Sequence, residues 1–376
     1  MTENLNNIEQ EQLEQSKIDE DMRYVLQNLS SDDKNLRDEA LSDLINKIYH
    51  QGTLNCQSAF AVPFLQERLQ YESEQELLYE ILLALAHLAT GRAFSETHRN
   101  VFYQDKWDTP VFQAWREDEL LWVLTTREAV HKGVNIYLKL LEHDSPNVRT
   151  ASAYTLSCCQ PDAARSCARM RLRFHQEPEE LVKASMLLCL AILSNSTPVD
   201  TAFLEEVLNS NEGDLVKLAA AIALAYVARE NMSDNALEML VHLLNQPKLF
   251  LTLSEHYELP MATAHNNLLL INFLTRLNDQ HMAKVVRVLT QAWGLPHYPE
   301  LLLELVFQWK TLPEGTTIND LTEAQQYAMR AIANSTSTEK EMIYGNRTLN
   351  TLRIKGRFTR EKLLDFLNGE RLEYDK

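Results

Sequence analysis

Arg165, Arg169 and Arg173 recur at every fourth position, with Arg171 beside them. On a helix that spacing lines three guanidinium groups along one face. Such a stripe can grip phosphates or acidic side chains through charge-assisted hydrogen bonds. It can equally pair with acids of an adjacent helix, and Glu177, Glu179 and Glu180 are near candidates. A second group is aromatic: Phe102, Tyr103, Trp107, Trp115 and Trp122, mixed with Arg116 and several acids. Trp115 and Trp122 are seven apart and share a helix face. The group therefore reads either as core packing or as the anchor of a partner interface, where aromatics and Arg carry most of the binding energy. His256 and His265 flank a proline near Glu255 and Glu258. A metal site needs three or four convergent ligands, so no metal is expected there.

Other chemistry is missing from the sequence. There is no G-x-G-x-x-G or Walker-type loop to cradle a phosphate, no H-E-x-x-H, and no G-x-S-x-G around a serine. No catalytic residue and no cofactor is implied. The five cysteines, Cys56, Cys158, Cys159, Cys167 and Cys189, form no C-x-x-C pair, and their odd number suits no disulfide framework. Four of them fall on apolar helical segments, where a free thiol acts as a small hydrophobe. Net charge is −17, which disfavours nonspecific contact with nucleic acid or anionic lipid. It suits a basic protein partner, or simply a solvated helical surface. Residues 1–21 hold seven acids and one base without an apolar run, unlike a signal peptide. No stretch is long and apolar enough to span a membrane. The expected compartment is the cytoplasm.

These groups must be held by helices. Only 9 Gly and 11 Pro occur in 376 residues, which favours long helical elements. One phrase is written three times: Asn147-Val148-Arg149, Leu181-Val182-Lys183 and Leu215-Val216-Lys217, with a step of 34 residues between the Val positions. Ala153, Leu187 and Ala221 follow each Val by five residues, and Leu156, Leu190 and Leu224 by eight. A fixed period of this length marks stacked helical repeats. A fourth copy starts at Leu36-Arg37, with Asp32 or Asp33 as its N-cap and Gly52 as a C-terminal cap. A fifth centres on Leu77, Leu78, Ile81, Leu82, Leu85 and Leu88, closed by Gly91. Pro63 should break or start the helix between them. Residues 91–131 interrupt the period, and insertions in repeat arrays form loops on one face that often binds. Further helices are expected at 234–244, 261–277, 280–293, 298–311 and 319–333. Residues 347–362 carry six bases and one acid, ahead of a short helix ending near Gly369.

The stretch Asp144-Ser145-Pro146-Asn147-Val148-Arg149 through Leu156 resembles the second helix of a HEAT repeat. Residues 50–53 followed by 61–65 are similar to bacterial HEAT-repeat proteins. The resemblance covers residues 20–334 and implies an all-α, right-handed α-solenoid, a superhelix of HEAT-like antiparallel helix pairs. It also implies that Arg149 packs along the neighbouring repeat. Tetratricopeptide repeats share the 34-residue period, but their Trp, Gly and Tyr signature is missing. One HEAT-type enzyme family, the deoxyhypusine-hydroxylase type, binds two irons through His-Glu pairs, and this chain has no His-Glu dipeptide. The expected organisation is a flexible acidic lead at 1–19, the solenoid at 20–334 with the aromatic insertion at 91–131, and a basic extension or cap at 335–376.

The functional expectation is a non-enzymatic scaffold that grips a basic protein with its concave face and the 91–131 insertion, as an immunity-type protein neutralises a toxin. The candidate contact residues are Phe102, Tyr103, Trp107, Trp115, Arg116, Trp122, Arg165, Arg169 and Arg173. HEAT-like enzymes such as alkylpurine DNA glycosylases or chromophore lyases are the alternative, as is an assembly adaptor. A glycosylase needs a basic concave face for phosphates, which −17 opposes.

Overall fold

The computed structural model describes residues 20–98, 107–246, 248, 249, 252, 253, 272–292, 299–308, 310, 312–334 and 360–371. The acidic lead at 1–19, Phe102, Tyr103, His256, His265 and most of the basic segment at 347–362 lie outside these residues. The described chain is all-α apart from one two-residue hairpin. It divides into two compact units, Met1–Gln176 with Asn195–Pro198, and Glu177–Ser194 with Val199–Lys376. The division falls between the first and second of the 34-residue copies.

In the first unit, α1 (Glu20–Asn28) packs on α2 (Lys34–Ile48). Asp33 caps α2 by accepting a hydrogen bond from the Asn35 amide at 2.9 Å. Gly52 does not cap that helix, contrary to the expectation. Gln51 and Gly52 have φ of 49° and 88° and form the turn between β1 (Tyr49–His50) and β2 (Thr53–Leu54), the paired positive φ that a tight hairpin needs. The next helix, α3 (Ser58–Tyr71), continues unbroken past Pro63. Pro63 is exposed and Ala59, whose carbonyl it leaves unpaired, is half-exposed, so water can reach that group. Then come α4 (Gln75–Thr90), the short α5 (Phe94–Thr97) and α6 (Pro110–Lys132). Gly91 follows α4 because a Cβ there would lie 2.5 Å from Leu54. The unit ends with α7 (Val134–Leu140), α8 (Pro146–Cys158) and α9 (Ala163–Phe174).

The second unit holds α10 (Glu180–Leu193), α11 (Thr201–Leu208), α12 (Asp214–Ala228) and α13 (Asp234–Leu244), then α14 (Asp279–Ala292), α15 (Pro299–Phe307), α16 (Glu323–Asn334) and α17 (Arg360–Leu367). Of the helix expected at 261–277, residues 261–271 lie outside the described chain.

The three copies of the phrase open α8, α10 and α12. These helices are buried on every side along their middle turns: residues 148–157, 184–191 and 218–225 are all buried. Within the first unit α8 packs chiefly on α4, and within the second α10 packs on α12, which also meets α11 and α13. Ala and Ser at these positions let helices approach closely, and Val148, Val182 and Val216 fill the entry turn with no exposed surface.

The base after the hydrophobic residue does repeated polar work. Nη1 of Arg149 donates to the carbonyls of His143 (2.8 Å) and Asp144 (2.7 Å). Nη1 of Arg37 donates to those of Ser31 and Asp32, both at 3.0 Å. Each arginine thus ties down the residues five and six positions before it, so the same sequence phrase makes the same turn. Arg37 also reaches ahead to Glu72, before α4, at 3.1 Å, and Lys183 reaches Glu212, before α12, at 2.6 Å. The Glu72 side chain has no exposed surface. Burial alone would raise its pKa, but the amides of Glu74 and Ser73 and the Arg68 guanidinium together outweigh it and hold the carboxyl below the usual range.

Two outcomes follow. Leu190 has 0% exposure, so Leu190→Ala should cost about 2–5 kcal/mol in urea unfolding. A cost under about 0.5 kcal/mol would mean that α10 does not lie in the core. Because Glu72 ionises more readily folded than unfolded, its contribution is complete above the ordinary glutamate pKa and is lost as pH falls through the lower folded value. Glu72→Gln should therefore lower stability at pH 7 and flatten the acid limb of a stability-against-pH curve.

Candidate partner-binding face

The expected insertion at 91–131 is, from Pro110 onward, part of one 23-residue helix, α6 (Pro110–Lys132), rather than a loop. Thr109 precedes Pro110, and the Thr109 hydroxyl accepts from the Phe112 amide at 3.4 Å. Proline suits that first position because its missing N–H would have no partner there. At the other end the carbonyls of Ala129 and Val130 accept hydrogen bonds from Gln66 Nε2 at 2.8 and 3.2 Å. Tyr137 also donates to Val130, at 2.9 Å. Phe112, Glu119, Val123, Thr126 and Val130 face inward, and α6 packs across α3 and α4. Buried Glu119 accepts from the Ser95 amide at 2.9 Å, which fixes α5 against this helix.

The aromatic group is partly assembled. Trp107 lies tilted against Phe112 at 5.4 Å between ring centroids, and Phe112 and Trp115 meet edge-to-face at 5.3 Å. The Arg116 guanidinium lies 5.1 Å from the Trp107 ring centroid and pairs with Glu96 at 2.6 Å. Trp107, Trp115, Arg116 and Trp122 are all half-buried. Phe112 links the aromatic cluster to the core, while Trp107 and Trp115 stay half exposed.

The side chains that point outward are not the aromatic ones that the sequence spacing singles out. Val111 is 83% exposed, Leu121 56% and Leu124 55%. Ala114, Glu117, Asp118, Thr125 and Glu128 are exposed with them. Positions 114, 117, 121, 124 and 128 are successive three- and four-residue steps along one helix face. The signal was present in Leu120-Leu121-Trp122-Val123-Leu124. Five consecutive large apolar residues encircle a helix, so a helix lying on a core must turn some of them to solvent.

The arginine stripe does lie on one face of α9, and it is engaged within the first unit. Arg165 donates to Asn135 Oδ1 at 2.8 Å. Glu142 takes Arg169 at 3.1 Å and lies 3.8 Å from Arg173. The structure brings these three arginines to α7 and its end, and the aromatic group to α5 and α6. The thiols at the end of α8 and on α9 behave as packing groups: burial pushes the pKa of Cys158 up to about 12 and that of Cys167 up to about 11. Among the described residues no group of three or more His, Cys, Asp or Glu side chains is placed to hold a metal. No described helix is long and apolar enough to cross a membrane.

No protein-family model matches the chain, and no curated protein matches it either.

Since Leu121 and Leu124 contribute little to the core, changing both to Glu should alter stability by less than about 0.5 kcal/mol. Val123→Glu, two residues from Leu121 and buried, should prevent cooperative unfolding or lower stability by several kcal/mol. Urea unfolding followed by tryptophan fluorescence separates the two cases, because all variants keep Trp115 and Trp122.

Proposed function

We propose that the chain is a HEAT-like α-solenoid, a right-handed superhelix of antiparallel helix pairs, that acts as a non-enzymatic scaffold gripping a basic protein. In its sharpest form it is an immunity-type protein that neutralises a basic toxin by direct binding. The 34-residue period and the matching clamps of Arg37 and Arg149 support the repeat architecture. The observation that carries the binding role is the outward face of α6, where Leu121 and Leu124 are exposed among Glu117, Asp118 and Glu128.

The contact surface belongs on α6 rather than on a groove along α8, α10 or α12. Those three helices bury every residue of their middle turns and have no side chain there to offer. The half-buried Trp115 and Trp122 border the α6 face and supply large contact area at low entropic cost, as aromatic anchors do. Acidic groups around an apolar centre would speed capture of a basic protein and make the rate salt-dependent.

Affinity capture with the purified chain from cells that make it, at two salt concentrations, tests this reading. One basic protein should be retained at low salt, weakened at high salt, and lost when Leu121 and Leu124 are changed to Glu. If it is a toxin, co-production of the wild-type chain should protect cells and the double variant should not. Retention of nucleic acid, or of a partner indifferent to the double variant, would overturn the assignment.

A further inference from the structure

Resting on the reading of α6 as a binding face, the geometry points to one class of occupant: a basic amphipathic helix of the partner laid along α6. Three observations carry this. First, the backbone groups of the middle turns of α6 are used within the helix, so a partner strand would find no free ladder to extend; recognition must come from side chains. Second, the exposed residues run the length of the helix, from Val111 through Ala114 and Leu121 to Leu124 and Thr125. Small Ala114 and Thr125 on either side of Leu121 leave grooves into which the ridges of a second helix can settle. At 1.5 Å per residue α6 is about 34 Å long, enough for some six turns of partner. Third, Glu117 lies one turn before Leu121 and Glu128 one turn after Leu124, with Asp118 alongside. None of these three carboxylates makes an ion pair among the described residues. An apolar seam bordered by acids matches a helix whose apolar stripe is flanked by Lys or Arg.

A second copy of this chain fits poorly. Two α6 helices packed antiparallel about Leu121 and Leu124 would set Glu117 of one copy against Glu128 of the other, and each chain carries −17. Like charges opposed in this way cost specificity and affinity.

The test uses the full chain and three synthetic peptides of about 20 residues. One has Leu at i, i+3, i+4 and i+7 flanked by Lys. The second has the same Leu positions flanked by Glu, and the third scrambles the Lys peptide so that no stripe remains. Fluorescence anisotropy should show the Lys peptide binding at least about ten-fold more tightly than either control, with the margin over the Glu peptide shrinking as salt rises. Leu121→Glu with Leu124→Glu should weaken the Lys peptide about ten-fold, and Leu172→Glu, an exposed leucine on α9, should leave it unchanged. Glu117→Lys with Glu128→Lys should reverse the preference between the Lys and Glu peptides.

Equal binding of the Lys and Glu peptides, or equal binding of the scrambled peptide, would overturn the proposal. So would a wild-type dimer in sedimentation that Leu121→Glu dissociates, which would give the face to a second copy. A photo-crosslinker replacing Leu121 in cells separates this failure from failure of the broader reading. A crosslink to a basic helical segment of another protein supports the proposal. A crosslink to an acidic or extended segment removes the helix and leaves the scaffold reading standing, whereas no crosslink together with peptide failure removes both.

Discussion

A helix that is buried on every side can exist in water only between other elements, and this constraint organises the chain. The middle turns of α8, α10 and α12 are buried throughout, so none of these helices is stable alone. Each acquires its neighbours from the elements around it: α4, α7 and α9 around α8 in the first unit, α11 and α13 around α12 in the second. The amphipathic helices are the ones free to carry a solvent face. Within the first unit α6 is the longest of these, spread across α3 and α4. Its inner face completes the core, and among the described residues its outer face is left exposed at Val111, Leu121 and Leu124.

Charge is divided along the same line. Three bases of the repeated phrase are turned to the protein's own backbone and acids: Arg37 and Arg149 on loop carbonyls, Arg37 on Glu72, Lys183 on Glu212. The arginines of α9 are likewise engaged, by Asn135 and Glu142. Arg127 donates to the carbonyls of Ala89 and Gly91 at the end of α4. A chain short of bases has used many of them to satisfy internal polar groups whose loss would be costly. Acids are then left in excess on the surface, and α6 displays three of them beside exposed leucine.

Much of the helical pattern was legible because it depends on short-range regularities. The Val148, Val182 and Val216 register, the Asp33 cap and the helix ending near Gly369 all follow from spacing or cap chemistry. The errors came where tertiary context decides. Gly52 supplies positive φ at a helix end or in a hairpin, and the pairing of Tyr49 with Leu54 selects the hairpin. Pro63 sits inside α3 because its ring faces water and the other side of the helix is held by Ala61, Val62 and Leu65. The aromatic residues at 107–122 were legible as a cluster, but not as half core and half surface. That split depends on where α3 and α4 lie. The exposed leucines of α6 could not be told from buried ones without knowing which side the core takes.

The magnitudes also say what the α6 face requires of a partner. Leu121 and Leu124 are each a little over half exposed. Burying a whole leucine is worth about 1.5–3 kcal/mol, so completing these two supplies roughly 2–3 kcal/mol together. Association costs at least about 4 kcal/mol in lost rigid-body freedom. Two leucines alone therefore cannot hold a partner, however well they fit. The contact has to reach the half-exposed Trp115 and Trp122, whose large rings add area without many new frozen torsions. It must also extend to the flanking acids, which act on approach and alignment more than on final affinity. An interface with these parts is long and narrow, following the helix from Val111 to Glu128, which is why an elongated basic partner suits it better than a compact apolar one.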